Sequence, residues 1–285
     1  MSIVLPTQFP SGQSRRPVRF ATASATAAPD ASDVRRGLRR HEFKAYVQPK
    51  FDLNSLAVPS VEVLARWQHP LKGMLSPATF IPVMSRERLL DELFGDLLEQ
   101  GLSSQVELHL QGRQVGFAFN LSLQQLATEV LVDRMIMRLL EHPLPLSSVT
   151  LEITEDAAAS VSPTVLQRLE RLKAIGVRLS MDDFGTGNSS LWRLNQLSFD
   201  ELKLAGEFTC EIENSMRARA IVRYALALAK ELEIPLVVEG LETEAQRSIL
   251  IDLGARYGQG YLCAKPMQAS LLGSWLHGAR QHHSM

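Results

Sequence analysis

Eight short runs rich in β-branched and aromatic residues limit most strongly what this chain can fold into. They are Phe43–Leu53, Val61–Trp67, Val115–Leu121, Val149–Thr154, Val177–Asp182, Glu201–Leu204, Pro235–Glu239 and Gln259–Cys263. Most are separated by longer segments with apolar residues at helical spacing, such as Leu126, Val130, Ile136 and Leu140, or Val165, Leu169 and Leu172, or Ala220, Tyr224, Leu228 and Leu232. Strands alternating with helices are the pattern of a parallel α/β fold. Eight is the number a closed (β/α) barrel needs, and an open doubly wound sheet is the alternative. Only Asn54 to Ser60 join the first two runs. That is too short for a crossover helix, so this pair is expected to be antiparallel and the barrel irregular at its start.

Residues 1–32 read differently. Pro6, Pro10, Pro17 and Pro29 stand among many Ser, Ala and Thr, with Arg15-Arg16 and almost no amphipathic period. This is the composition of a disordered arm or linker, with a targeting segment as the lesser reading. The folded region is expected over residues 33–285, opening on a helix with Asp33 as N-cap before Val34 and Leu38. With 285 residues, 45% of them hydrophobic, the chain can bury a sizeable core. A formal net charge of -1 gives no footprint for duplex DNA or RNA or for an anionic membrane. Two cysteines, Cys210 and Cys263, fit a reducing compartment rather than a disulfide framework. No apolar run reaches the ~18 residues of a membrane span, and the N-terminus lacks the pattern of a secretory signal. A cytoplasmic protein is expected.

Most of the runs carry or end on a group able to bind a metal or a polar ligand: Gln48, Glu62 with Arg66, Asn120, Glu152, Asp182-Asp183, Lys203, Glu239 and Gln259. In a barrel, active-site groups come from the C-terminal ends of several strands, which this distribution matches. Strand residues alternate faces, so Glu62 and Arg66 share one interior, the carboxylate deeper and the guanidinium nearer the rim. Arg66 suits a phosphate, or a neighbouring carboxylate. Glu62, Asn120, Glu152, Asp182, Asp183 and Glu239 form an all-oxygen set, suited to Mg²⁺, Mn²⁺ or Ca²⁺ rather than to zinc. The seven histidines lie in helical, loop or C-terminal contexts and offer no His-x-His or His-x-x-x-His pair. The adjacent carboxylates of Met181-Asp182-Asp183-Phe184-Gly185-Thr186-Gly187 repel each other unless cations sit between them, and a two-metal site needs an oxygen ligand able to serve ions roughly 3.5–4 Å apart. Capping of a turn by Asp183 is the alternative. An ammonium at Lys203 among carboxylates would orient a water or stabilise negative charge, or form a plain structural ion pair.

These residues resemble the EAL domain family. Glu62-Val63-Leu64-Ala65-Arg66-Trp67 with His69-Pro70 is similar to its naming signature, and Tyr46-Val47-Gln48-Pro49 to its Gln-Pro strand. Asn120-Leu121-Ser122, Glu152-Ile153-Thr154-Glu155, Asp182 through Gly187 with Ser189-Ser190-Leu191, Glu239-Gly240-Leu241-Glu242-Thr243 and Gln259-Gly260-Tyr261 follow in the family's order, over about residues 33–278. The resemblance implies an α/β, TIM-like (β/α)8 barrel with one antiparallel strand near the N-terminus, and hydrolysis of cyclic di-GMP to linear pGpG with two Mg²⁺ or Mn²⁺ ions per site, inhibited by Ca²⁺. Glu62, Asn120, Glu152 and Asp182 would hold one ion; Asp182, Asp183 and Glu239 the second. Lys203 and Glu239 would be catalytic, Lys203 touching the nucleophilic water. Gln48 and Arg66 would contact the dinucleotide, with Gln259 beside them, and Glu155 would brace the loop after Asp183. A homodimer is implied, with room for a regulatory protein partner.

The departures are Val63 and Val238 where the family has Ala, Asn188 where it has Tyr, Ala205 where it has Asp, and Met84-Ser85-Arg86-Glu87-Arg88 in place of a stretch with Ala-Glu and Gly. Two other readings stand beside hydrolysis of cyclic di-GMP. One is a non-hydrolysing cyclic di-GMP receptor or protein-interaction module on a degenerate barrel. The other is a barrel enzyme for another phosphorylated substrate.

Overall fold

The computed structural model describes residues 29–154, 162–186 and 190–282. Ten strands form one sheet: β1 Phe43–Asp52, β2 Ser60–His69, β3 Gly73–Leu75, β4 Gly116–Leu121, β5 Val149–Ile153, β6 Arg178–Phe184, β7 Glu201–Leu204, β8 Leu236–Val238, β9 Tyr257–Gln259 and β10 Met267–Gln268. Eight of them close a barrel in the order β1-β2-β4-β5-β6-β7-β8-β9, with β9 pairing back onto β1. From β2 to β9 every neighbour in this ring is parallel. β1 runs antiparallel to both β2 and β9. The closed barrel thus replaces the open-sheet alternative, and β1 is its reversed strand. β3 and β10 are short antiparallel additions that the sequence pattern did not reveal.

Alternation along the strands divides the side chains into two sets. Phe117, Phe119 and Leu121 of β4, Val149, Leu151 and Ile153 of β5, and Leu202 and Leu204 of β7 are buried in the main core beneath the helices. Residues of the opposite parity point into the lumen, and they include Glu62, Asn120, Glu152, Glu201 and Lys203. A second apolar cluster surrounds Trp67 outside the barrel, joining the helices Ala31–Arg39 and Pro77–Arg86 to β1 and β2. There Trp67 lies against Phe43 and Phe80, at 4.8 and 6.0 Å between ring centroids.

Local chemistry sets the helix starts. Ser162 accepts from Val165 N ahead of Pro163 at the start of the helix Pro163–Ala174. Thr243 and Gln246 form a reciprocal capping box on the helix Glu244–Asp252. The first helix corrects an expectation: its N-cap is Asp30, not Asp33. The Asp30 carboxylate accepts from Asp33 N at 2.8 Å and Asp33 reaches back to Asp30 N, so Asp33 is the inner half of a capping box. The helix therefore begins inside the segment read as an arm, whose first 28 residues lie outside the described ones. The last barrel strand is also displaced. It covers Tyr257–Gln259 rather than Gln259–Cys263, because at Gly260 the chain turns against Leu241 so closely that a Cβ would stand 2.1 Å from Leu241 O. His69, expected in a loop or helix, ends β2, where its Nδ1 accepts from Leu71 N and Lys72 N at 3.1 Å each.

Candidate functional site

The C-terminal mouth of the parallel strands gathers most of the polar residues singled out in the sequence. Glu62 comes from β2, Asn120 from β4, Glu152 from β5, Asp182 from β6, Lys203 from β7 and Gln259 from β9, while Glu239 directly follows β8. Lys203 is their hub. Its Nζ lies 2.7 Å from Glu152 Oε2, 2.7 Å from Glu239 Oε1, 2.8 Å from Asp182 Oδ1 and 3.3 Å from Glu62 Oε2. Asn120 Nδ2 donates to Glu62 Oε1 at 2.6 Å, leaving its amide oxygen as the atom it can offer a cation. Gln259 Nε2 donates to Glu62 Oε2 at 2.7 Å and lies 3.4 Å from Gln48 Oε1. Gln48 in turn donates to Ala264 O at 3.2 Å.

Asp182 and Asp183 should face opposite sides of a regular strand. They do not, because β6 is irregular: its register with β7 shifts between Met181 and Phe184, and Asp183 has φ 52°. A non-glycine residue in this left-handed region is uncommon and marks a locally imposed conformation. The shift is what a bulge does when it re-aims a side chain. Asp182, Asp183 and Glu239 each place a carboxylate oxygen within 4.8 Å of the others. Of the buried lumen oxygens, Gln259 Oε1 has no hydrogen-bond partner, while Asp182 Oδ1 and Glu152 Oε1 meet only the ammonium groups of Lys203 and Lys50, at 2.8 and 2.7 Å. Clustered carboxylates that outnumber their lysine partners, beside an unbonded amide oxygen, fit divalent cations with hard oxygen ligands.

The electrostatics agree. Burial pushes the Glu62 carboxyl up, and the neighbouring Glu152 charge adds to the effect. Burial likewise raises Asp182 and Asp183, against the opposing pull of Lys203. Glu239 is pushed up to about 8, by burial first and then, despite Lys203, by Asp182 and Glu62. Glu152 is the exception. Burial alone would raise it, but the ammonium groups of Lys203 and Lys50 outweigh burial and hold it at about 2. Burial would lower Lys203, yet Glu152, Glu62, Glu239 and Asp182 together hold it well above the usual lysine value. So many carboxylates around so few cations leave a site that cations would relieve.

Other expected residues stand apart. Arg66 lies on the lumen face of β2, where its guanidinium donates to Ala65 O at 2.8 Å and pairs with no carboxylate among the described residues. It does not line the cavity of about 350 Å³ at the mouth, which Gln48, Glu62, Asp182, Lys203, Glu239 and Gln259 do line. Glu155 and Asn188 lie outside the described residues. Ala205 is buried at the start of the helix Gly206–Cys210, which has no side-chain cap. Sequence reasoning missed Lys50, Glu201, Glu242 and Tyr261. Lys50 and Glu201 are buried in the lumen, while Glu242 and the exposed Tyr261 line the cavity. Parity was the available signal, since Lys50 is two residues from Gln48 and Glu201 two from Lys203.

Relatives share this arrangement of sequence and fold. The chain is 43% identical over 239 residues to the cyclic di-GMP phosphodiesterase RocR of Pseudomonas aeruginosa, covering 84% of this chain and 61% of RocR. It is 38% identical to the bifunctional diguanylate cyclase/cyclic di-GMP phosphodiesterase MucR of the same organism, covering 84% of this chain and 35% of MucR. It thus spans about three fifths and one third of the two relatives' lengths. The solved PaMucR phosphodiesterase in complex with c-di-GMP superposes with a TM-score of 0.78 at 37% identity, over 85% of this chain and 98% of that one. The EAL enzyme Bd1971, bound to cAMP and cyclic di-GMP, gives 0.78 at 27% identity, over 86% and 67%. The EAL domain model matches residues 31–266. With that match spanning nearly the whole described barrel, the chain belongs to the EAL domain family.

Proposed function

We propose that this chain is a metal-dependent phosphodiesterase that hydrolyses cyclic di-GMP to linear pGpG. The observation that carries the reading is the set of buried carboxylates converging on Lys203, with oxygens of Asp182, Asp183 and Glu239 close enough to share a cation. The identity to RocR and the complex of PaMucR with c-di-GMP support the substrate. Glu62, Asn120, Glu152 and Asp182 would hold one Mg²⁺ or Mn²⁺, and Asp182, Asp183 and Glu239 a second. Such a pair of ions, when bound, supplies an activated water and neutralises charge on the phosphodiester. Ca²⁺ is larger and prefers more ligands, and it would inhibit.

The chain's own groups do the rest. Lys203 holds its proton firmly and so serves as a fixed cation beside the reacting centre, keeping a water in place by hydrogen bonding. Glu239 stands within 2.7 Å of that ammonium and is the carboxylate best placed to share in proton handling. Gln48 and Gln259 offer amide groups to the dinucleotide at the cavity wall. Arg66, which pairs with no carboxylate among the described residues, keeps its guanidinium for a phosphate. Tyr261 presents an exposed ring on which a base can stack. The cytoplasm is the compartment that suits this substrate, and a homodimer regulated by a protein partner is the assembly we expect. Glu155 would steady the loop after Asp183.

Purified protein incubated with cyclic di-GMP and Mn²⁺ should yield pGpG, and Glu62→Ala should not. Absence of product from folded, metal-loaded wild type would overturn the proposal. Ala205, standing where the family has Asp, favours one second reading: a receptor that binds cyclic di-GMP without turnover. Tight binding unaffected by Glu62→Ala, with no product, would select it.

A further inference from the structure

We propose that Lys50, braced by Glu201, is a positioning residue for the metal centre: it pins one oxygen of Glu152 so that the carboxylate is oriented before any cation arrives. This inference rests on the two-metal reading above. Lys50 and Lys203 are both sealed inside the lumen, at 2% and 1% exposure. They divide Glu152 between them, Lys203 lying 2.7 Å from Oε2 and Lys50 2.7 Å from Oε1.

The two lysines are not equivalent. Lys203 touches four carboxylates at the mouth, all of them in the proposed ligand set, so incoming cations compete with it for every partner. Lys50 touches Glu152 and, at 2.5 Å, Glu201. Glu201 belongs to neither proposed ion; it sits one lumen step below Lys203 on β7 and lines the cleft at the opposite mouth of the barrel. The Lys50–Glu201 pair therefore meets no competition from an incoming cation, and with Oε1 of Glu152 held by Lys50, Oε2 is the atom left to the metal. The reversed β1 makes this possible. It carries Gln48 and Lys50 on the lumen face, and its register sets Gln48 opposite Glu62 and Lys50 opposite Gln259. Glu201 supplies the counter-charge that lets an ammonium be buried there. A glutamate has three side-chain torsions, and one left unpinned must be ordered when the cation binds. Groups that orient a ligand from behind are typically worth about 10–100-fold in metal affinity.

The test is the charge-balanced double variant Lys50→Met with Glu201→Gln. It removes one positive and one negative charge together, so the net charge of the lumen is kept and the orientation of Glu152 is lost. Chelator-stripped wild type and variant are titrated with Mn²⁺ by calorimetry, with steady-state kinetics alongside. The expected result is a variant whose Mn²⁺ dissociation constant rises by about tenfold or more, whose kcat falls, and whose KM for cyclic di-GMP stays nearly unchanged. Equal Mn²⁺ affinity in a folded variant overturns the inference while leaving the metal reading intact. A wild type that takes up no Mn²⁺ sinks both. Should the double variant fail to fold, Lys50→Met alone decides. It removes the pin together with a positive charge, so charge alone would tighten Mn²⁺ binding and lost orientation would weaken it; weaker binding supports the inference, and equal or tighter binding overturns it.

Discussion

The two faces of the barrel strands solve opposite problems. Around Trp67 on the outer face of β2, Phe43, Phe80, Val34 and Leu38 close a cluster from which water is excluded, and the indole N–H donates to Glu42 Oε2 at 2.9 Å. Five residues earlier on the same strand, Glu62 faces a lumen of carboxylates held together by two lysines. The outer face needs apolar volume, and many side chains could supply it. The lumen needs particular oxygens in particular places, and burial makes each of them costly until it is compensated. One strand thus adds stability on one side and gives part of it up on the other for the sake of a site.

Substitutions can break this contrast. Trp67→Ala should have the largest effect on stability, about 3–5 kcal/mol as for other buried aromatic truncations. Its folded fraction should turn over substrate at the wild-type kcat, as chemical denaturation and kinetics would show; a collapse of kcat in folded protein would mean that the outer cluster shapes the site. Asp182→Asn should do the reverse. It removes one of several repelling carboxylates, so the thermal midpoint of the metal-free protein should hold or rise. Activity should fall by more than about 100-fold, the upper range for groups that merely support a ligand. A large drop in midpoint with activity retained would contradict the division between the faces.

The third effect is smaller and depends on pH. A carboxyl whose folded value is raised keeps a proton that the unfolded chain has lost, so its stabilising contribution is full below the ordinary carboxylate range and disappears as pH rises through the folded value. Glu239, pushed up to about 8, and the raised Glu62, Asp182 and Asp183 all act in this direction. Glu152, held at about 2, acts oppositely, and only as pH falls below the ordinary range. The metal-free protein should therefore lose stability between roughly pH 5 and pH 8. Mn²⁺ affinity should rise over the same interval, because protons compete with the ion. Glu239→Gln should flatten the stability slope in thermal melts, and an unchanged slope would remove Glu239 from the explanation.

Much of this was legible in the sequence. Eight apolar runs with helical spacers pointed to a parallel α/β fold, barrel or open sheet, and the seven-residue join between the first two pointed to a reversed strand; the family resemblance favoured the barrel. The lumen was legible too, because a polar residue at nearly every strand end is a periodic signal that survives in one dimension. What escaped depends on features with no local signature. The re-aiming of Asp183 comes from a register shift against β7, which only the assembled sheet defines. Lys50 reads as an ordinary strand lysine until β7 brings Glu201 beside it, 151 positions away. Asp30 and Asp33 are both good caps in sequence and each accepts from the other's backbone N–H; the extended backbone of Asp30, just before the helix starts at Ala31, decides between them. The early end of β9 follows from Leu241 crowding Gly260.

On the proposed reading, the lumen receives two cations across Asp182. Anomalous diffraction from crystals soaked in Mn²⁺ tests it most directly. The result expected is two peaks at the C-terminal mouth, roughly 3.5–4 Å apart, sharing Asp182, with Lys203 drawn away from at least one of its four carboxylates. A lumen without peaks, with Lys203 still holding all four, would contradict it.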